Sequence, residues 1–177
     1  MACEINKIES GSWIKLTGPS GVGKSTICRE VVFANNQIKK NNSEIEKKII
    51  LKYEAEIRLI RKFIPSANSI LIDSRMKANK FFRNESVEGD KFIKLSKIDR
   101  FEYSLSQGEV QRFVMLEAIS SKSDLIVMDE CLSGLPEVFE FEILKFIKKN
   151  FPKLNCLYVS HRINAQISSL FEKEINL

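Results

Sequence analysis

GPSGVGKS, at residues 18–25, is the stretch that decides the fold, because it matches the pattern G-x-x-x-x-G-K-S/T. Its three glycines let the backbone turn tightly, so that several N–H groups converge on one phosphate. Lys24 adds a point charge for the β- and γ-phosphates, and the Ser25 hydroxyl reaches Mg²⁺. The pattern therefore predicts a site for a nucleotide and magnesium.

The flanking sequence gives this loop the context that it requires. Residues 13–17 predict a strand that enters the loop, and residues 25 to about 34 predict a helix whose positive end faces the same anion. A similar loop occurs in nucleoside monophosphate kinases, guanylate kinase in particular, so the loop alone leaves that class open. The predicted nucleotide contacts in this stretch are Gly18, Ser20, Gly21, Val22, Gly23, Lys24, Ser25 and Thr26.

Apolar patterning predicts the other elements. We interpret residues 45–51 and 57–64 as strands, the second one ended by Pro65. Apolar side chains follow helical spacing in two stretches, and two continuous apolar runs are typical of buried parallel strands. Strands that alternate with helices predict an α/β sandwich on a mostly parallel sheet. The predicted helices are 106–120 and 137–149, and the predicted buried strands are 125–128 and 156–159.

Three further motifs follow the loop. They are LSQGEVQR at residues 105–112, LIVMDE at 125–130, and YVSHR at 158–162, which contains the one histidine of the chain, His161. In order, they resemble the signature segment, the Walker B strand and the switch-histidine segment of the ATP-binding-cassette (ABC) ATPase family, and look most like its exporter branch. Gln107 stands where that family normally has the first glycine of its signature.

The resemblance implies a role for each matched residue. Asp129 would hold the Mg²⁺ shell, usually through water, and Glu130 would orient and polarise the attacking water. With Lys24 and the switch histidine His161, Glu130 makes up the implied catalytic set. Asp129 lies 23 residues after Ser106 and 32 before His161, as is typical of the family. A monophosphate kinase needs neither the signature nor the late histidine, so the set favours the ABC family.

The family's architecture gives the signature its meaning. Two domains bind head to tail, as a homodimer or heterodimer, and close over two ATP molecules with Mg²⁺. Ser106 and Gly108 of one subunit would then contact the γ-phosphate that Lys24 of the other subunit holds. The implied fold is a single α/β P-loop NTPase domain over residues 1–177, with a reduced antiparallel β region and a small helical signature subdomain at about 67–120.

The sequence departs from the family pattern at several points. We align residues 63–66 with the segment that ends in the metal-contacting glutamine, so Ser66 stands in its place and would reach the metal only through water. Pro136 occupies a position that is usually aspartate. About ten residues precede the first predicted strand, so the strands that normally supply an adenine-stacking aromatic are expected to be missing.

Composition is that of an ordinary globular domain, with 44% apolar and 29% charged residues among 177. No apolar run reaches the roughly 20 residues of a membrane helix, and no secretory leader is evident. We therefore expect a cytoplasmic protein that reaches the inner face of a membrane only through a partner. The four cysteines are far apart, which favours reduced thiols over zinc ligands or disulfides.

Three functions fit these observations. The first is the ATPase subunit of a transporter whose membrane protein is a separate chain. The second is a soluble, non-transport ABC ATPase that acts on nucleic acid or a protein complex. The stretch 39–100 favours it, since 16 basic against 9 acidic residues give it a net charge of +7, although interleaved glutamates weaken the case for nucleic acid. The third is a regulatory subunit with little turnover.

Overall fold

A computed structural model describes residues 11–36, 43–64, 69–73, 115, 119 and 123–177. Five strands form one sheet in the order β2-β3-β4-β1-β5, and every pairing among the described residues is parallel. Helices pack on both sides of the sheet, which confirms the α/β class. The strands are β1 (Trp13–Thr17), β2 (Ser69–Asp73), β3 (Leu125–Asp129), β4 (Asn155–Val159) and β5 (Lys173–Asn176). The helices of the described residues are α1 (Lys24–Asn35), α2 (Glu44–Lys52), α3 (Glu54–Phe63), α4 (Glu137–Asn150) and α5 (Ala165–Ser168).

Alternation along the strands divides the core into two apolar clusters, one on each face of the sheet. On one face, Met128 and Tyr158 pack with Ile143 and Ile147 of α4. On the other face, strand side chains such as Val127 pack with α1 and α3. Successive strand residues point to opposite faces, and both faces of a parallel sheet are covered, so β3 is buried throughout and apolar up to its last residue, Asp129.

The two strands predicted at 45–51 and 57–64 are wrong, because both segments are helical. Ser43 begins α2 with a capping box, in which its hydroxyl accepts from the Glu46 N–H at 3.3 Å and its own N–H donates to the Glu46 carboxylate at 3.0 Å. The buried side chains of α3 and its C-cap follow helical spacing and face the core, at Ile57, Ile60 and the C-cap Ile64. The β-branched isoleucines favoured a strand, but burial of one helical face outweighs that propensity.

Three elements were not predicted from the sequence, namely β2, α5 and β5. The strand β2 lies within the range 67–120 assigned to a helical subdomain, yet it belongs to the central sheet. Of the helix predicted over 106–120, the structure describes Met115 and Ile119, and both are helical and buried. The other residues of 106–120 lie outside the described residues, and the strand pairings among the described residues include no antiparallel one.

Candidate functional site

The sheet register brings the ends of four strands into one row. Asp73 pairs with Asp129, Asp129 with Val159, and Val159 with Leu16. All strands are parallel, so the loops that follow β1, β3 and β4 leave the sheet at the same edge. Ligands of open α/β sheets bind at this carboxyl edge, and the predicted site residues that the structure describes lie there.

The phosphate loop follows β1 and ends at the start of α1. Gly23 is the N-cap of α1 and lies in the left-handed region at φ 115°, with no side-chain oxygen to satisfy the first N–H groups of the helix. Those N–H groups are therefore directed into the loop, together with the positive end of the helix dipole. The predicted contacts from Gly18 to Thr26 thus lie on one loop and the first turn of one helix.

Lys24 is buried at 5% exposure, and its ammonium group is held inside the loop. Its Nζ donates to the carbonyl oxygens of Gly18 at 2.9 Å and Pro19 at 2.8 Å. Both partners are neutral carbonyls, so a phosphate, which is charged, is a stronger acceptor for the same ammonium group. The ammonium group is therefore placed to exchange these two carbonyl partners for a bound phosphate.

Helix α2 packs directly on this loop. A Cβ built on Gly23 would lie 2.6 Å from Cγ2 of Ile49, so both the contact and the positive φ require glycine here. Arg29 of α1 and Glu46 of α2 are 3.6 Å apart and join the two helices. The segment that the sequence analysis treated as a strand is therefore a helix that supports the phosphate loop.

Magnesium has suitable protein ligands at this edge. Asp129 is 5% exposed at the end of β3, and Ser25 is half-buried in the first turn of α1. Hydroxyl and carboxylate oxygens are the donors that Mg²⁺ prefers, and Mg²⁺ usually takes one or two of them beside substrate phosphates. The described residues contain no cluster of three or more His, Cys, Asp or Glu that could hold a metal alone.

Glu130 and His161 meet beside Asp129. The Glu130 Oε1 and His161 Nε2 atoms are 2.5 Å apart, and both side chains are partly exposed. Glu130 has a φ of 56°, which is unusual for a residue with a side chain, and its N–H donates to the Val159 carbonyl at 3.1 Å. This backbone conformation turns the chain out of β3 and directs the Glu130 side chain to the segment after β4.

Three predicted site residues lie outside the described residues, namely Ser66, Ser106 and Gly108. The argument for Ser66 used a strand over 57–64, which is a helix, and β2 begins only at Ser69. The backbone position at the carboxyl edge, level with Asp129, is Asp73. Sequence reasoning missed Asp73, although the short apolar run Ile70–Ile72 before it was a usable strand signal.

Pro136 is the N-cap of α4, with φ −57°. A proline suits a helix start, since it has no N–H to leave unsatisfied and its φ is fixed near this value. The substitution at this position therefore gives a well-defined start to the helix that covers one face of the sheet.

The structure describes three of the four cysteines, and all three are buried and outside any disulfide, namely Cys28, Cys131 and Cys156. Burial, followed by the nearby Asp129 charge, raises the pKa of the Cys131 thiol well above its ordinary value of 9.0. Burial is also the largest cause of the raised pKa values of Cys156 and Tyr158. The nearby Glu140 carboxylate raises the pKa of Tyr158 further.

These raised pKa values predict that the protein loses stability in alkali. Cys131, Cys156 and Tyr158 stay neutral in the folded state, whereas in the unfolded chain thiols ionise above about pH 9 and tyrosines above about pH 10. The contribution of these three groups is therefore complete below pH 9 and is lost as pH rises. We expect the free energy of unfolding to fall by about 4–7 kcal/mol between pH 8.5 and 11. Urea unfolding at a series of pH values measures it, and Tyr158→Phe should reduce the slope above pH 10. A flat profile would contradict the prediction.

This fold and this site define a P-loop nucleotide-binding protein of the parallel-sheet type. A family model described as ABC transporter matches residues 6–133, which is most of the chain. The chain therefore belongs to the ABC transporter family and is an ATP-binding-cassette domain. This confirms the resemblance seen in the sequence.

The chain is similar to ATP-binding proteins of several transporters. It is 30% identical to the "Fe(3+) ions import ATP-binding protein FbpC" of Fusobacterium nucleatum, over 87% of this chain and 45% of that protein. It is 29% identical to the "Zinc import ATP-binding protein ZnuC" of Buchnera aphidicola, over 85% of this chain and 63% of that protein. The chain thus spans about half the length of these relatives.

Among solved structures, the fold is similar to that of an ATP-binding cassette in a post-hydrolysis state with ADP and Pi. The TM-score is 0.58 at 16% sequence identity, and the match covers 96% of this chain and 82% of the other. In the part of the chain that the structure describes, no helix has both the length and the apolar character to cross a membrane.

Proposed function

We propose that this chain binds MgATP, hydrolyses it and thereby energises a transporter through a separate membrane subunit. The observation that carries the hydrolytic part is the 2.5 Å contact between Glu130 and His161, at the sheet edge where the phosphate loop leaves β1. A carboxylate and an imidazole in contact beside a phosphate site can orient a water molecule and accept its proton.

The reaction assigns one task to each residue. The loop N–H groups and Lys24 hold the β- and γ-phosphates, and Mg²⁺ held by Ser25 and Asp129 would neutralise phosphate charge. Glu130 takes a proton as the water oxygen bonds to the γ-phosphorus, and the bond from that phosphorus to the β–γ bridging oxygen breaks. ADP leaves with the electron pair of the broken bond. His161, in contact with Glu130, fixes the direction of the carboxylate.

The complete site is proposed to form between two cassettes. Ser106 and Gly108 of a second subunit would face the γ-phosphate held by Lys24, in a head-to-tail dimer. Two facts support this: His161 and Glu130 are 42% and 31% exposed at the open sheet edge, and a similar cassette has been solved as a dimer. Closure of a second subunit over this edge would exclude water from the phosphates.

The transporter assignment rests on the two relatives named above, which are described as ATP-binding proteins of import systems. We propose that a membrane protein of the same system recruits the chain to the inner face of the membrane.

A second candidate is a non-transport ATPase that acts on nucleic acid. Six basic side chains are exposed on α2 and α3, against four glutamates in the same helices. Such a surface suits phosphate backbones, although an excess of two charges is small for that purpose. The basic side chains are Lys47, Lys48, Lys52, Arg58, Arg61 and Lys62.

Affinity purification of the tagged full chain from its native cells separates these candidates. The extraction uses mild detergent and MgATP, and a parallel sample carries Lys24→Ala. A polytopic membrane protein that is enriched with the parent chain supports the transporter proposal. Enrichment of nucleic acid or soluble protein alone overturns it and favours the second candidate. A membrane partner without phosphate release by the purified complex would favour a regulatory subunit instead.

A further inference from the structure

A buried carboxylate lies behind the Glu130–His161 pair and is not used by the proposed reaction. Glu140 of α4 is fully buried, in a helix that otherwise buries apolar residues. Its Oε1 accepts from the Tyr158 hydroxyl and, at 3.4 Å, from the Ser160 hydroxyl. Its Oε2 lies 2.8 Å from Nη1 of Arg162. A buried charge requires such partners, so Glu140 fixes the place of Arg162.

The guanidinium of Arg162 also holds the loop 131–135 that follows Glu130. Nη1 donates to the Leu135 carbonyl at 2.5 Å, and Nη2 donates to the Ser133 carbonyl at 2.6 Å. The rigid fork of an arginine can make these contacts and the carboxylate contact at once. Arg162 therefore joins α4, the loop 131–135 and the segment after β4.

Both ends of this connection adjoin the proposed catalytic pair. The Ser133 N–H donates to the Glu130 carbonyl at 3.2 Å, and Arg162 directly follows His161. The backbone N–H of Arg162 is itself fixed by the Ser160 hydroxyl at 3.1 Å. The Glu130–His161 contact is thus closed into a ring of hydrogen bonds that runs through Ser133 and Arg162.

We infer that Arg162, anchored by Glu140, is a positioning residue that sets the distance between Glu130 and His161 during hydrolysis. This inference rests on the proposed function, since it assigns a role within the same reaction. A displacement of about 1 Å at a reacting group can cost about 100-fold in rate, so a tie across the pair has a large effect on kcat. It has little effect on KM, because the phosphate loop is held by other contacts.

The Arg162→Lys variant distinguishes two roles of Arg162, namely neutralising the buried Glu140 carboxylate and holding the loop 131–135 in place. Lysine can neutralise Glu140 from the same position, but its single ammonium group cannot reproduce the fork to Ser133 and Leu135. Arg162→Lys therefore separates neutralisation of the buried carboxylate from attachment of the loop.

The experiment compares steady-state MgATP hydrolysis and thermal melting of the full-length parent, Arg162→Lys, Arg162→Ala and Lys148→Ala proteins. Lys148 is a matched control, because it is similarly exposed, pairs with Glu172 at 2.6 Å and donates to the Leu170 carbonyl away from the site. We expect Arg162→Lys to melt near the parent temperature, with kcat lowered about tenfold or more and KM within about twofold. Lys148→Ala should retain the parent kcat.

The inference is overturned if folded Arg162→Lys hydrolyses ATP at the parent rate, or if kcat falls equally in Lys148→Ala. If Arg162→Ala does not fold, Arg162→Lys still decides the question. Parent protein that releases no phosphate, or Glu130→Gln that keeps its turnover, would instead refute the proposed function. Full turnover in Arg162→Lys together with an inactive Glu130→Gln would refute the positioning role alone.

Discussion

Glu130→Gln is expected to lower kcat for MgATP hydrolysis about 100-fold or more while ATP still binds. The amide has nearly the same shape as the carboxylate, but it cannot accept a proton from water. The 2.5 Å contact to His161 Nε2 can persist as a neutral hydrogen bond, so the site keeps its geometry and loses its base. Phosphate release and equilibrium ATP binding, measured on the same protein, check the two halves of this expectation.

A matched carboxylate nearby provides the control for Glu130→Gln. Glu137 is exposed at the start of α4 and accepts from the Asn164 amide at 2.8 Å, outside the site. Glu137→Gln should keep kcat within about twofold, as most surface substitutions do. We also expect Glu130→Gln to accumulate as a dimer in ATP, seen by size-exclusion chromatography. Glu130→Gln protein that hydrolyses ATP as fast as the parent would show that the catalytic assignment is wrong.

Lys24→Ala is expected to weaken MgATP binding about 100-fold or more. The ammonium group is buried in the loop and held by the carbonyls of Gly18 and Pro19, so its side chain is already placed where the phosphates bind. Hydrogen bonds to charged groups contribute about 1.5–3 kcal/mol each, and loss of two such contacts accounts for this factor. Isothermal titration with MgATP gives the dissociation constant directly.

Lys15 provides a matched buried lysine for this measurement. It is 1% exposed in β1, and its Nζ donates to the Ser168 hydroxyl at 2.8 Å and lies 3.9 Å from the Glu174 carboxylate. Lys15→Met keeps the apolar stem and removes the charge at a position outside the loop, so the MgATP affinity should change less than about threefold. Unaltered binding by Lys24→Ala would refute the phosphate-loop assignment.

The phosphate loop and most strands and helices of the sheet could be predicted from the sequence, because each is specified by residues close together in the chain. A signal within a few residues predicts the glycine loop, the strands β1, β3 and β4, and the helices α1 and α4. The structure has these strands and helices within one or two residues of the predicted bounds. Asp129, Glu130 and His161 follow buried strands, and ends of parallel strands meet at one edge.

The errors lie where local signals conflict with long-range burial. In α2 and α3 the isoleucines suggested strands, yet both segments are helical. A capping box begins α2, and burial of one face stabilises α3. In β5 only Ile175 is buried, so its polar sequence resembles a loop until it pairs with β1. Strand pairing of this kind depends on a partner more than 150 residues away in sequence, which no local pattern contains.

The sequence by itself determined the phosphate loop, the carboxylates that end β3 and the late histidine, because each depends on residue types at short spacing. Only the tertiary structure decided that α2 is a helix packed on Gly23, that Asp73 is level with Asp129, and that Glu140 is buried against Arg162. Glu140 lies in a helix like any charged surface residue, and its burial follows from the packing of α4 on the sheet. Contacts between distant segments form only when the core closes. Burial in that core is also what makes pairing necessary for a charged side chain such as Glu140.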